Sequence, residues 1–164
     1  MKKAKEIKKL TKTLDEIGFK NTTQENMTKL KDALDNNGID IIEEISHFLS
    51  QIAHETGNGR WLTELGSDAK YKGAGYIQLT HEYNYKSFAE SMGDPEIYNQ
   101  GANYVAEHYA WEAAGWFWTN NKINEKIATG ASVESVTRII NGPKMNGLDE
   151  RKNYYATIYS ILNR

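Results

Sequence analysis

The hydrophobic period of the chain breaks at one place, and that break governs everything built around it. Before it, Ile42, Ile45, Leu49, Ile52 and Thr56 recur at three- and four-residue steps, and Ile41 and Phe48 widen the stripe. Such a pattern predicts a helix with one buried face. At Gly57 the period stops. Glycines at 57, 59, 66, 73 and 75 punctuate the stretch to Thr80, which carries no helical repeat and reads as loops with one or two short strands. Gly75-Tyr76-Ile77-Gln78-Leu79-Thr80 alternates apolar and polar residues, as a strand or extended turn does. An apolar helix must bury its stripe against other helices. The glycines free the chain to fold back over the helix end.

The other segments supply those helices. An amphipathic helix is expected over 3–17, stopped near Gly18, with its apolar stripe at Ile7, Leu10, Leu14 and Ile17. A second, capped by Thr22 or Thr23, runs over 24–35 and ends at Asn36-Asn37-Gly38. Beyond the glycine-rich stretch, helices are expected over 81–92, broken by Gly93-Asp94-Pro95, then over 101–119, 132–140 and 148–162. No internal repeat or Ser/Pro/Gly-rich linker divides the chain. The fold class is mainly α, a single domain over 1–164 with a small loop/strand insert.

Composition narrows the chemistry. With no cysteine, a disulfide scaffold, a thiol nucleophile and a thiolate zinc site are excluded. The start, MKKAKEIKKLTKTL, is basic but lacks a following apolar segment, so cytoplasmic synthesis without a signal peptide is expected. The net charge of −2 resolves into +5 over residues 1–12 and −7 over the rest. An acidic body argues against a nucleic-acid partner. The basic helix over 1–20 presents a solvated face or touches an anionic surface.

Glu55 stands at the end of the apolar helix, where the negative helix terminus and apolar surroundings raise a carboxyl pKa. That suits a general acid; the ordinary alternative is an exposed glutamate near a helix end. Glu64 lies nine residues on, and the intervening glycines let it turn back to face Glu55. Two carboxylates flanking a bond are what glycoside hydrolysis needs. Trp61, Tyr71, Tyr76, Tyr83 and Tyr85 cluster nearby and suit either sugar faces or core packing, whereas Trp111, Trp116 and Trp118 read as core. Metal chemistry finds no support. His54-Glu55 fails the HExxH pattern at Asn58, and His47 and His54 lack a third ligand. No metal and no cofactor is expected.

Three motifs together resemble a known family. Ser46-His47-Phe48-Leu49-Ser50-Gln51-Ile52-Ala53-His54-Glu55-Thr56-Gly57 is similar to the first catalytic helix of glycoside hydrolase family 19, the chitinase-like family. Tyr71 to Thr80, followed by Tyr83-Asn84-Tyr85, resembles its substrate-binding segment. Ile140-Asn141-Gly142, Asn146 to Lys152 and Tyr154-Tyr155 form the third match. The resemblance implies a lysozyme-like, two-lobed fold with a chitinase-like core over 40–162. It places the acid at Glu55, the second carboxylate at Glu64 and a water-holding hydroxyl at Thr80. Gln78, Asn84 and Asn141 fall on saccharide-contacting positions. His54 and Tyr71 are assigned to substrate beside them. Arg151 matches a basic residue near the acid, and its charge opposes the rise in the pKa of Glu55. Two departures stand out: Ala74 occupies a place where the family usually has arginine, and Pro143 follows Asn141-Gly142 where a second glycine is usual.

A compact chain without cysteine more closely resembles the phage and prophage endolysins of the family than its secreted chitinases. The implied activity is hydrolysis of β-1,4 bonds between N-acetylated amino sugars of bacterial peptidoglycan by an inverting acid/base mechanism. The alternatives are a chitinase acting on chitin oligomers and a non-catalytic glycan- or wall-binding module. The expected partner is the peptidoglycan glycan strand, reached after release from the cytoplasm by a monomer with at most transient membrane contact. Deleting residues 1–12 is expected to weaken wall binding without unfolding the body.

Overall fold

The structure, a computed structural model, describes all of residues 1–164. Ten helices follow in order: α1 (Lys2–Glu16), α2 (Gln24–Asn36), α3 (Ile42–Glu55), α4 (Glu82–Met92), α5 (Glu96–Gln100), α6 (Ala102–His108), α7 (Ala110–Asn120), α8 (Ile123–Ala128), α9 (Val133–Asn141) and α10 (Leu148–Leu162). No helix is long and apolar enough to cross a membrane.

The long helices form where period and caps coincide. Thr23 caps α2 by accepting the Asn26 N–H at 3.3 Å. The Glu44 carboxylate reaches back to the Asp40 and Ile41 N–H groups at the start of α3. α3 buries Phe48, Leu49 and Ile52, and α10 lies along it. One hydrophobic core joins them to Leu14 of α1, Leu30 and Leu34 of α2, Trp111 and Trp118 of α7 and Ile158 of α10.

Three expectations are corrected. The stretch 57–80 contains no strand, only isolated bridges pairing Ala74 with Thr63 and with Leu79. Ala74 and Leu79 exchange N–H···O bonds of 3.0 and 2.8 Å around a tight turn, in which Gln78 takes a left-handed φ of 57°. The helix expected over 101–119 breaks at Tyr109, with φ −140° and ψ 33°. The break lets the Tyr104 and Tyr109 hydroxyls both donate to Asp94 Oδ2, at 2.7 and 2.8 Å, and the Ala110 carbonyl accept the Tyr76 N–H at 3.1 Å. The short helices α5 and α8 were not foreseen. Pro95 opens α5 instead of only ending what precedes it, and Asp94 Oδ1 accepts the Glu96 N–H at 3.0 Å.

One polar residue in the core fixes where the loop sits. Asn26 donates to the Tyr76 hydroxyl and accepts from Trp111 Nε1, both at 2.9 Å. Tyr76 stacks on Trp111 with centroids 3.6 Å apart. The ring of Tyr76 thereby anchors the turn carrying Gln78 and Thr80. Tyr85 is also core, whereas Tyr83 is exposed. Trp111 and Trp118 are buried as expected, and Trp116 is half-buried.

The basic start belongs to this core. Ile7 and Leu10 are 6% and 4% exposed, so residues 1–12 cannot be removed without opening it. Burying two such side chains is worth about 3–6 kcal/mol. Deletion of 1–12 should therefore lower the stability read from urea titrations by about that amount; an unchanged midpoint would show that the body folds without these residues.

His47 adds a pH dependence. It is 3% exposed, its Nδ1 has no partner, and its ring packs on Tyr155 at 4.5 Å. Burial lowers its pKa to about 4. The unfolded chain takes up this proton below its ordinary value of about 6.5, whereas the folded chain resists it down to about 4. Stability contributed by neutral His47 is thus complete above the unfolded value and lost as pH falls between the two, by at most about 3 kcal/mol. His47→Phe should flatten that part of the pH–stability curve in urea titrations. A curve parallel to wild type would contradict this assignment.

Candidate active site

The end of α3 is tied into a knot by Thr56. Its hydroxyl donates to the Ile52 carbonyl and accepts the Gly59 N–H, each at 2.8 Å, while its own carbonyl accepts the N–H groups of Arg60 and Trp61. Gly57 adopts a φ of 56°, and a Cβ there would stand 2.2 Å from the Trp61 ring. Only glycine permits both the left-handed turn and the close approach of the indole. The chain then returns over the helix end, as the glycine spacing predicts.

A cleft of about 480 Å³ opens beneath this turn. Glu55, Glu64, Gln78, Thr80, Asn84 and Asn141 all line it. Trp61, Ile77, Leu79, Phe117 and Ile140 give it apolar surface, and Asn146 adds an amide. Six of the nine residues singled out in the sequence therefore share one concavity. The other larger hollows, near α1 and between α2 and α7, contain none of the nine.

The two carboxylates differ sharply in setting. The Glu55 side chain is 13% exposed. Burial pushes its carboxyl above the ordinary carboxylate range, and the opposing pulls of Arg151 and His54 do not cancel it. Glu64 is exposed. Its Oε1 accepts the Gly73 N–H at 3.0 Å, and its own N–H donates to the Gly73 carbonyl at 2.8 Å, which fixes the carboxylate against the loop. Thr80 donates its hydroxyl to the Gln78 carbonyl at 2.7 Å, leaving oxygen lone pairs to accept from a bound water. Gln78 Nε2 donates to the Gly75 carbonyl, Asn84 Nδ2 to the Thr80 carbonyl, each at 3.0 Å. Asn141 Oδ1 accepts the Asn146 N–H at 2.6 Å and closes the loop containing Pro143.

Three of the nine lie elsewhere. Arg151 is fully buried behind the acid: Nη2 donates to Glu55 Oε2 at 3.3 Å, Nη1 to Gln51 Oε1 at 2.6 Å and Nε to the Asn146 carbonyl at 3.0 Å. It positions Glu55 and does not face the cleft. His54 is a strut between helices, its Nδ1 2.6 Å from Glu150 Oε1, and its ring fills the space where a Cβ on Gly147 would lie. Tyr71 stacks on Tyr98 and donates its hydroxyl to the Tyr98 carbonyl at 3.0 Å, away from the cleft lining. Ala74, where the resemblance has arginine, is fully buried at the centre of the paired bridges.

Gln51 and Thr137 were not foreseen. Gln51 Nε2 donates to Thr137 Oγ1 at 3.1 Å, so a buried chain runs Thr137–Gln51–Arg151–Glu55. A polar residue inside the α3 stripe, one turn before Glu55, was the available sign. No group of three or more His, Asp or Glu side chains is placed to share a metal ion.

Known proteins carry the same architecture. The chain is 36% identical over 107 residues to a glycosyl hydrolase family 19 domain-containing protein of Haemophilus influenzae, covering 65% of this chain and 48% of that one. It is 29% identical over 133 residues to an endochitinase of Arabidopsis thaliana, covering 68% of this chain and 45% of that one. The chain thus spans about half the length of these curated relatives. No family model matches it. Among solved structures, chitinase C from Streptomyces griseus superposes with a TM-score of 0.69 at 24% identity, covering 82% of this chain and 83% of that one. The family GH19 class IV chitinase from Zea mays gives 0.70 at 23%, covering 86% and 81%. At such identity these likenesses establish the fold. The fold is mainly α and lysozyme-like, and the chain is similar to glycoside hydrolase family 19 proteins in sequence over 65% of its length and in fold over more than four fifths of it.

Proposed function

We propose that the chain is a glycoside hydrolase that cuts β-1,4 bonds between N-acetylated amino sugars, with the glycan strands of bacterial peptidoglycan as substrate. The observation that carries the reading is the pairing of a shielded carboxyl, Glu55, with an exposed carboxylate, Glu64, in one cleft. Glu55, whose protonated form burial favours, gives its proton to the departing glycosidic oxygen. Glu64 takes a proton from the water that attacks the opposite face of the sugar, and Thr80 accepts a hydrogen bond from that water. Such a single displacement inverts the anomeric centre. Gln78, Asn84 and Asn141 offer amides to the acetamido and hydroxyl groups, while Trp61 and Phe117 supply apolar surface for the sugar faces.

Chitin oligomers are the second reading, favoured by the endochitinase names of the curated relatives. Absence of cysteine supports the peptidoglycan reading, since it fits a protein made in the cytoplasm and released to the wall more closely than a disulfide-bonded secreted chitinase. We further take the enzyme to act as a monomer. Parallel digestion of purified peptidoglycan and soluble chitin oligomers separates the readings. A higher kcat/KM on peptidoglycan fragments is expected; turnover confined to chitin oligomers would replace the first reading with the second.

A further inference from the structure

The strongest feature outside the cleft is the outer face of α1. Lys2, Lys5, Lys8, Lys9 and Lys12 are all exposed. At 100° per residue they fall within an arc of about 120° and extend about 15 Å along the axis. Lys3 lies off that arc and pairs with Asp32 at 2.7 Å. None of the five forms an ion pair, because the neighbouring acids are engaged elsewhere. Glu6 binds Lys31, Asp15 accepts the Thr22 hydroxyl, and Glu16 binds Arg164.

This arrangement works against the helix that carries it. The first turn of α1 has no acidic residue, and cations there oppose the helix dipole. Lys5 and Lys8, Lys5 and Lys9, and Lys8 and Lys12 stand at repelling three- and four-residue spacings. No contact within the fold offsets this cost. An anion along the face relieves both penalties.

We propose that this face docks a flexible polyol-phosphate polymer, a chain with one negative charge per short unit and no bases. The apolar side of α1 cannot enter a bilayer, because Ile7, Leu10 and Leu14 are buried in the core. The arc has no aromatic ring for base stacking and no arginine for base edges, which sets it apart from a nucleic-acid surface. The rest of the chain carries −7 and repels a broad, rigid polyanion. A thin chain can lie along α1 without meeting that body. A groove along the helix follows the same line and is lined by Lys5, Lys8 and Lys12 together with Asp15 and Glu16 at its far end in sequence. Docking is independent of turnover in the cleft, so it stands or falls separately from the hydrolase reading.

The test is binding of the full chain to purified poly(glycerol phosphate) across about 50 to 200 mM salt, beside the variant Lys5→Gln/Lys8→Gln/Lys12→Gln. Wild type should bind with an affinity that falls linearly in log–log form. The variant should bind at least about tenfold more weakly at low salt, with a slope smaller by about 2. Its melting temperature should rise by about 2 °C as the repulsion is removed. No wild-type binding at low salt, or equal affinity and slope for the variant, overturns the proposal. So does tighter binding of duplex DNA or of anionic vesicles than of the polymer.

Discussion

Glu55→Gln should lower turnover about 10³-fold while the protein stays folded, the scale on which a positioned general acid contributes. The amide keeps the size of the side chain and can still accept from Arg151 Nη2, so the buried chain through Gln51 survives. The N–H groups of the amide are not acidic enough to protonate the leaving oxygen. The loss should therefore appear in kcat, with KM for soluble oligomers little changed and an unaltered far-UV spectrum. A loss of only a few-fold would remove Glu55 from the chemistry.

Arg151→Met should produce the largest loss of stability, about 3–5 kcal/mol near neutral pH, because removing one partner of a buried pair strands the other. Three acceptors lose their donor: Glu55 Oε2, Gln51 Oε1 and the Asn146 carbonyl. The pH dependence has a definite sign. Burial already raises the Glu55 pKa in the folded protein, and Arg151 is the largest of the forces lowering it. Without Arg151 the folded pKa rises further. A carboxyl that holds its proton more tightly when folded costs stability as pH climbs from the unfolded value, about 4.3, through the folded one. The variant should consequently be least impaired in acid and lose stability as pH rises. The alkaline limb of its pH–rate profile should move upward, since the acid stays protonated longer. A limb that moves downward, or a stability deficit that grows in acid, would contradict this role for Arg151.

The helices that matched expectation, α1, α2, α3, α4, α9 and α10, have period and boundary residues that act locally. Thr23 caps α2, and glycines follow α1 and α9, all within reach of a one-dimensional pattern. The misses have distant causes. α8 is held through Asn124, which accepts from Trp118 Nε1 and donates to the Asn37 and Gly38 carbonyls, the last two more than eighty positions away. The break at Tyr109 serves Asp94 and Tyr76, fifteen and thirty-three positions earlier. No helical period records such demands.

The site divides in the same way. Glu55 and Glu64 were visible as acids on either side of a glycine break, and the family resemblance supplied Thr80, Gln78, Asn84 and Asn141, which the fold gathers into the same cleft. Spacing could not distinguish residues that face the cleft from those that support it. Arg151 and His54 adjoin Glu55 but point to Gln51 and Glu150, and Tyr71 turns to Tyr98. Gln51 finds its partners only in three dimensions, where Arg151 comes from α10 and Thr137 from α9.

The most direct measurement is mass spectrometry of fragments released from purified peptidoglycan and from chitin oligomers by wild type and by Glu55→Gln. Wild type is predicted to create new reducing ends on one amino sugar of the glycan strand, and the Glu55→Gln digest to lack them. Equal fragments from both proteins, or cuts confined to the stem peptides, would contradict the account.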